Sequence, residues 1–289
     1  MTLDEKPADI SINVMSYGEH KLIIENFNKY LIISKEFKIS LNLNLKFSDI
    51  ENPQQLIDIF KLISNNKSCI NLFVRHLNFS KHVKCLNDIF SLNTNTYIRN
   101  LTFSEHLSII SKENFYSDYI WFLGAGDYPN NNALTILNSS DITNFDLISF
   151  EVHHSANMES NVISHKIKIR RVEAISSTIY KRTIFNLQSK PEHSWPHLLM
   201  LCKQSNALTH LLISHKQSKC AVYVNPQNNW QANIKNIEIE RINLALDYPS
   251  SDIIEWEFSE KEIFHSLHNL GFNNIQKLIG IFDRSTRLS

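Results

Sequence analysis

Two hydrophobic periods take turns through the first 125 residues of the chain, and few folds accept such a text. One period places apolar side chains at every second position, as a half-buried strand does. The other places them every third or fourth position, as an amphipathic helix does. Lys38 to Phe47 shows the first most clearly, with Ile39, Leu41, Leu43, Leu45 and Phe47 on one face. Glu19 to Ser34 shows the second, with Leu22, Ile23, Phe27, Tyr30 and Leu31 near helical spacing. Ile10 to Tyr17, Ser68 to Val74, Tyr97 to Phe103 and Asp118 to Leu123 are predicted as further strands. Helices are predicted after Asn52, which caps a start with Pro53 in the first helical position, over Ser80 to Leu92, and over Ser104 to Phe115. Four or five strand–helix alternations require parallel strands with helical crossovers, so the expected architecture is an α/β layer around a mainly parallel sheet.

The pattern loosens afterwards. Asn132 to Leu137 and Trp195 to Leu212 read as helices. Asp146 to His153, Lys166 to Val172, Ala174 to Lys181 and Lys219 to Val224 read as strands. Ile234 to Ile281 reads as charged helix broken near Pro249. No repeat and no long flexible linker interrupts the chain, so residues 1–232 are expected to form one body with 233–289 as a helical addition packed on it.

Composition removes several function classes. Lys plus Arg equals Asp plus Glu at 29 each, which does not suit a protein that coats nucleic acid through a surplus of cations. Cys69, Cys85, Cys202 and Cys220 form no C-x-x-C pair and no zinc-finger spacing, so reduced buried thiols are expected. The first nine residues are polar and acidic, unlike a secretory signal, and no apolar run approaches the length of a membrane span. A cytoplasmic setting follows as the expectation, with at most peripheral contact with a membrane. The P-loop and G-x-G-x-x-G phosphate cradles are absent, and so are G-x-S-x-G and H-E-x-x-H.

The informative stretch is Ser117 to Pro129, SDYIWFLGAGDYP: an apolar strand running into Gly124, two small residues, Asp127 and Pro129. Ligands of open α/β sheets bind beyond the carboxyl ends of strands. A carboxylate placed there can hold a divalent cation against a diphosphate. This stretch resembles the acidic-cluster strand of the family 2 glycosyltransferases of the GT-A fold, especially bacterial enzymes of surface polysaccharide synthesis such as capsule and lipopolysaccharide. Other segments follow in the family's order: ISINVMSYGEH (10–20), NLTFSEHLSIISKENFYSDYIW (100–121), SSTIYKRTIFN (176–186), HSWPHLLM (193–200) and AVYVNPQNNW (221–230). The resemblance spans about residues 8–232.

The resemblance implies a GT-A-like, Rossmann-type mixed sheet flanked by helices, with C-terminal helices. It also implies transfer of a sugar from a nucleotide-sugar to a hydroxyl of a glycan or lipid-linked acceptor, with inversion. It implies donor contacts from Ser16, Tyr17, Asp49, Arg75 and Asp127, and a Mn²⁺ or Mg²⁺ ion at Asp127. Where the family carries two or three carboxylates, this chain carries Gly124-Ala125-Gly126-Asp127. Three readings therefore stand: a metal held by Asp127 with help from elsewhere, a metal-independent transferase, or a catalytically degenerate nucleotide- or glycan-binding subunit. A phosphotransferase lacking a P-loop is a rival of another class. For the base that takes the acceptor's proton the candidates are His197, Glu192 and His193, near the start of the acceptor-side helix. His197 leads, because a neutral imidazole accepts a proton near pH 7. The pair His153–His154 is not expected to share a metal, since neighbours on a strand point to opposite faces. Trp195 and Trp230 suit sugar stacking or core packing equally.

Overall fold

A computed structural model describes residues 9–16, 19–47, 53–66, 70–76, 93–96, 107, 109–110, 112, 117–139, 142–150, 152–155, 162–164, 176, 178–185, 200, 202–203, 208–213, 222–224, 234–248, 274, 276–277 and 279–280. The amino-terminal part alternates as its periods predict. Strand β1 (Ile10–Ser16) leads into helix α1 (His20–Glu36), then β2 (Ser40–Phe47), α2 (Pro53–Asn66) and β3 (Ile70–His76). A short β4 (Asn93–Thr96) precedes β5 (Tyr119–Gly124), the two-residue β6 (Tyr128–Pro129) and α3 (Asn131–Ser139). There follow β7 (Leu147–Phe150), β8 (Val152–Ser155), β9 (Val162–Ser164), β10 (Thr178–Lys181), β11 (His210–Ile213), β12 (Val222–Val224) and α4 (Ile234–Asp247).

Among the described residues, eight strands form one sheet in the order β11-β7-β10-β5-β1-β2-β3-β4. All neighbouring pairs are parallel except those made by β10, which runs antiparallel to both β5 and β7. A smaller sheet has the order β6-β12-β8-β9. The expected mixed, mainly parallel architecture is present.

Burial follows from position in the sheet. Every residue of β1 and β5 is buried, as central strands covered on both faces require. On one face Ile12 and Val14 lie beside Leu41 and Leu43 of β2 and beside Trp121 and Leu123 of β5. Leu22, Ile23, Phe27, Tyr30 and Ile33 of α1 and Leu56 and Ile59 of α2 belong to the same apolar cluster. Full burial of each such side chain is worth about 1.5–3 kcal/mol. Trp121 stacks on Phe150, ring centroids 5.2 Å apart, and its indole N–H donates to the Ser176 carbonyl at 2.8 Å.

The other face of β1, β2 and β3 is not apolar. Ser11, Asn13, Asn42 and Asn44 are buried there, with exposures of 0–1%. Asn42 Nδ2 donates to Ser11 Oγ at 3.0 Å and to Asn13 Oδ1 at 3.2 Å, and Asn71 Nδ2 donates to Asn42 Oδ1 at 2.9 Å. The alternation in β2 therefore sorts an apolar face from a hydrogen-bonded polar one, both covered.

Some sequence expectations shift. The second strand begins at Ser40, not Lys38, because Lys38 adopts φ 53° and turns the chain out of α1. That left-handed position just past a helix end is usually glycine's. The single strand predicted over Asp146 to His153 is two, β7 in the large sheet and β8 in the small one. A change of sheet leaves no mark on a local period. The helix predicted over Trp195 to Leu212 cannot run to its end, because His210–Ile213 is strand β11 beside β7. Asp146 sets that register: its carboxylate accepts from Thr209 N at 2.9 Å and Thr209 Oγ1 at 2.8 Å. Burial opposes the charge on Asp146, but these two bonds and Lys181 outweigh it and hold the carboxyl below its usual value. The predicted helix Ser80–Leu92 and the strands Tyr97–Phe103 and Lys166–Val172 lie outside the described residues. No helix among the described residues is long and apolar enough to cross a membrane.

Candidate active site

The chain leaves β1 through α1 toward β2 and β3 on one side, while β5 lies on the other side of β1. Connections thus diverge at the β1–β5 boundary. Such a switch point opens a crevice beyond the carboxyl ends of the two strands, where the following loops part. Met15 pairs with Gly124 in that register, so the end of β1 and the start of the turn 124–127 stand side by side.

The 124–127 turn is closely tied. Asp127 N donates to the Gly124 carbonyl at 3.0 Å, and Gly126 has φ 83°, as in a type II turn that favours glycine at its third position. The Asp127 carboxylate closes the same turn from the other end. Its Oδ2 accepts from Gly124 N at 3.0 Å and from Ser176 Oγ at 2.5 Å. Tyr30, from α1, braces the turn from below: its hydroxyl donates to the Asp127 carbonyl at 3.1 Å and accepts from Gly126 N at 3.0 Å. Burial, and then the neighbouring Asp127 charge, push the Tyr30 phenol well above its usual range, so it stays protonated and able to donate. Asp127 is only 2% exposed.

The first strand ends in a second buried contact. Ser16 Oγ and His20 Nδ1 share a hydrogen bond of 2.9 Å across the β1–α1 connection, and both residues have no exposed surface. The hydroxyl that the sequence offered as a donor contact is thus engaged by the first residue of α1. Arg75 occupies the sixth position of β3, opposite Lys46 and Asn95; its backbone place is described and its side chain is not. Tyr17, Asp49, Glu192, His193 and His197 lie outside the described residues, as do Trp195 and Trp230. His153 and His154 are successive residues of β8.

The structure thus places Ser16 at the end of β1 and Asp127 just past the end of the neighbouring β5. It adds Tyr30, His20 and Ser176, which the sequence reading did not single out. A signal existed for Tyr30: on the buried face of a helix, a phenol needs a hydrogen-bond partner that phenylalanine would not.

The turn's donor set does not fit a divalent ion. Mn²⁺ and Mg²⁺ seek several oxygen ligands. Gly124, Ala125 and Gly126 have no oxygen-bearing side chain, and Asp127 Oδ2 already faces an N–H and an O–H donor. Among the described residues, no group of three or more His, Cys, Asp or Glu side chains is placed to hold a metal ion.

No protein-family model matches this sequence, and no curated protein matches it. Solved structures do. A mannosyltransferase from Pyrobaculum calidifontis, in complex with GDP-Man and Mn²⁺, superposes with a TM-score of 0.50 at 8% identity, over 99% of this chain and 77% of that one. The chain has the GT-A fold. Residues 1–349 of S. aureus TarS match with a TM-score of 0.49 at 11% identity, over 96% of this chain and 73% of that one. Glucosyl-3-phosphoglycerate synthase from Mycobacterium tuberculosis, in complex with Mn²⁺, UDP and glucosyl-3-phosphoglycerate, matches at 0.45 and 7%, over 85% of this chain and 81% of that one.

Proposed function

We propose that this protein is a glycosyltransferase that moves a sugar from a nucleotide-sugar to a hydroxyl of a glycan or lipid-linked acceptor, with inversion. The observation that carries the reading is the β1–β5 switch point, with its shaped 124–127 turn, in a chain of GT-A fold. A solved GT-A structure was determined with a nucleotide-sugar, GDP-Man, bound, which supports a donor of that class here. The sequence segments quoted above favour a role in cell-surface polysaccharide assembly on the cytoplasmic side.

In this reading the segment after Ser16 meets the base and ribose, with Tyr17 and Asp49 as contacts. Arg75 meets the diphosphate, since a guanidinium pairs with phosphate oxygens through two parallel bonds. His197 accepts the acceptor's proton as its oxygen attacks the anomeric carbon, and the nucleoside diphosphate leaves; Glu192 and His193 are the next candidates. General-base catalysis of this kind is worth about 10²–10⁴ in rate.

The test is release of nucleoside diphosphate from UDP-, GDP-, CDP- and TDP-sugars with lipid-linked and oligosaccharide acceptors. Release should occur with one nucleotide class, and His197→Ala should lower kcat by about a hundredfold or more while leaving nucleotide affinity intact. The engaged carboxylate of Asp127 favours one rival, a nucleotide-binding subunit without transfer. That rival predicts selective binding with no release for any donor and acceptor.

A further inference from the structure

We propose that Asp127 is a positioning residue, and that a nucleoside diphosphate docks at the 124–127 turn without a divalent ion held there. The inference rests on the nucleotide-binding reading above and specifies how that site works.

The hydrogen bonds define the role. Asp127 Oδ2 receives the Gly124 N–H and the Ser176 O–H, and the Asp127 N–H returns to the Gly124 carbonyl. Residue 127 therefore grips residue 124 through both its backbone and its side chain. Gly124 is the last residue of β5 and pairs with Met15 of β1, so this grip fixes the lip of the crevice relative to the sheet. Ser176 joins a third element to the clamp. Its hydroxyl lies 3.4 Å from Gly124 N, and its carbonyl receives the Trp121 indole N–H. Tyr30 holds the opposite side through Gly126 N and the Asp127 carbonyl. Every polar group in this clamp is buried, where a lost partner is costly.

A cation at Asp127 Oδ2 would face the hydrogen ends of two donors, Oδ1 belongs to the same residue and that residue is only 2% exposed, and moving the carboxylate outward would strip Gly124 N and Ser176 Oγ of their acceptor. Positions 124–126 offer no replacement ligand side chain. The carboxylate therefore holds the turn's shape rather than an ion.

The experiment is a thermal-shift titration with UDP, GDP, CDP and TDP, in EDTA and in Mn²⁺, on the wild type, Asp127→Asn and Ser176→Ala. The expected result is a shift selective for one nucleotide and equal in EDTA and Mn²⁺. Both variants should weaken that nucleotide's apparent affinity by about tenfold, because Ser176→Ala removes one donor of the clamp and Asp127→Asn replaces its charged acceptor by a weaker neutral one. A shift that needs Mn²⁺, abolished by Asp127→Asn and kept by Ser176→Ala, makes Asp127 a metal ligand and overturns the proposal alone. Lower melting temperatures with unchanged nucleotide affinity overturn the positioning role. No shift with any nucleotide in either condition overturns the nucleotide-binding reading and this proposal with it. Should Asp127→Asn fail to fold, Ser176→Ala in the two conditions still decides.

Discussion

Tyr30 is the residue whose role the fold changes most. By period it is one more apolar contact of α1, yet its hydroxyl joins the helix to both Gly126 N and the Asp127 carbonyl. Tyr30→Phe keeps the ring and removes those two bonds inside a fully buried site. The expected cost is about 1–3 kcal/mol, read as a lower urea midpoint with unchanged m-value. Cys202 makes a second prediction. Burial pushes its thiol up to about 12, so it carries almost no thiolate at pH 8. Peptide mapping after brief treatment with a thiol reagent should find Cys202 unmodified in the native protein and modified in denaturant. The sign for stability follows from the same shift. The folded state favours the neutral thiol, so its contribution is complete below the unfolded value near 9 and is lost as pH rises toward 12. A denaturation series across that range should show stability falling, with Cys202→Ala reducing the slope.

At the scale of elements, the polar face of β1, β2 and β3 is a network in which Asn42 is the hub. It donates to Ser11 and Asn13 and accepts from Asn71. Asn42→Ala strands three partners, two of them fully covered, and should cost about 1–3 kcal/mol or more. Replacing Asn13 and Asn42 together with Leu should cost less than the sum of the single changes, which a double-mutant cycle reads directly. Networks of this kind also fix register: a slip of one residue along β2 would set either Leu41 or Leu43, depending on its direction, against Asn13 and Asn71. The α1–β2 connection offers the opposite change. Lys38 holds φ 53° at a cost that glycine does not bear. Lys38→Gly should raise stability by about 0.5–1 kcal/mol in chemical denaturation.

For the whole molecule, the carboxyl-terminal part is expected to fold together with the sheet. Ile242, Leu244 and Ala245 of α4 are buried, so this helix has one face covered by other parts of the protein. If α4 shares the cooperative unit of the sheet, Ile242→Ala should lower the midpoint of the entire transition by about 2–5 kcal/mol. The transition would be the same by far-UV circular dichroism and by tryptophan fluorescence, to which the buried Trp121 contributes with three other tryptophans. Two separated transitions would make α4 part of an independent unit.

The sequence by itself determined the kind and order of the elements through β3, and then β5 and α3, but not the two-residue β6 between them, which exists only by pairing with the distant β12. Strand and helix periods are properties of neighbouring residues, and in these stretches nothing distant overrode them. It also located the turn after β5, because an apolar strand ending in Gly124-Ala125-Gly126-Asp127 can only stop there. Only the tertiary structure decided that β10 enters the sheet antiparallel, that 147–155 changes sheets, and that 210–213 is a strand beside β7 rather than helix. Each depends on a partner strand far along the chain, which a local period does not encode. The site divides in the same way. That Asp127 stands at a strand's carboxyl end is legible from thirteen consecutive residues, 117–129. That its carboxylate turns inward depends on Ser176, 49 residues away, and the brace beneath it on Tyr30, 97 residues away. Burial made those hydrogen bonds costly to leave unmade, and only the assembled fold creates that burial.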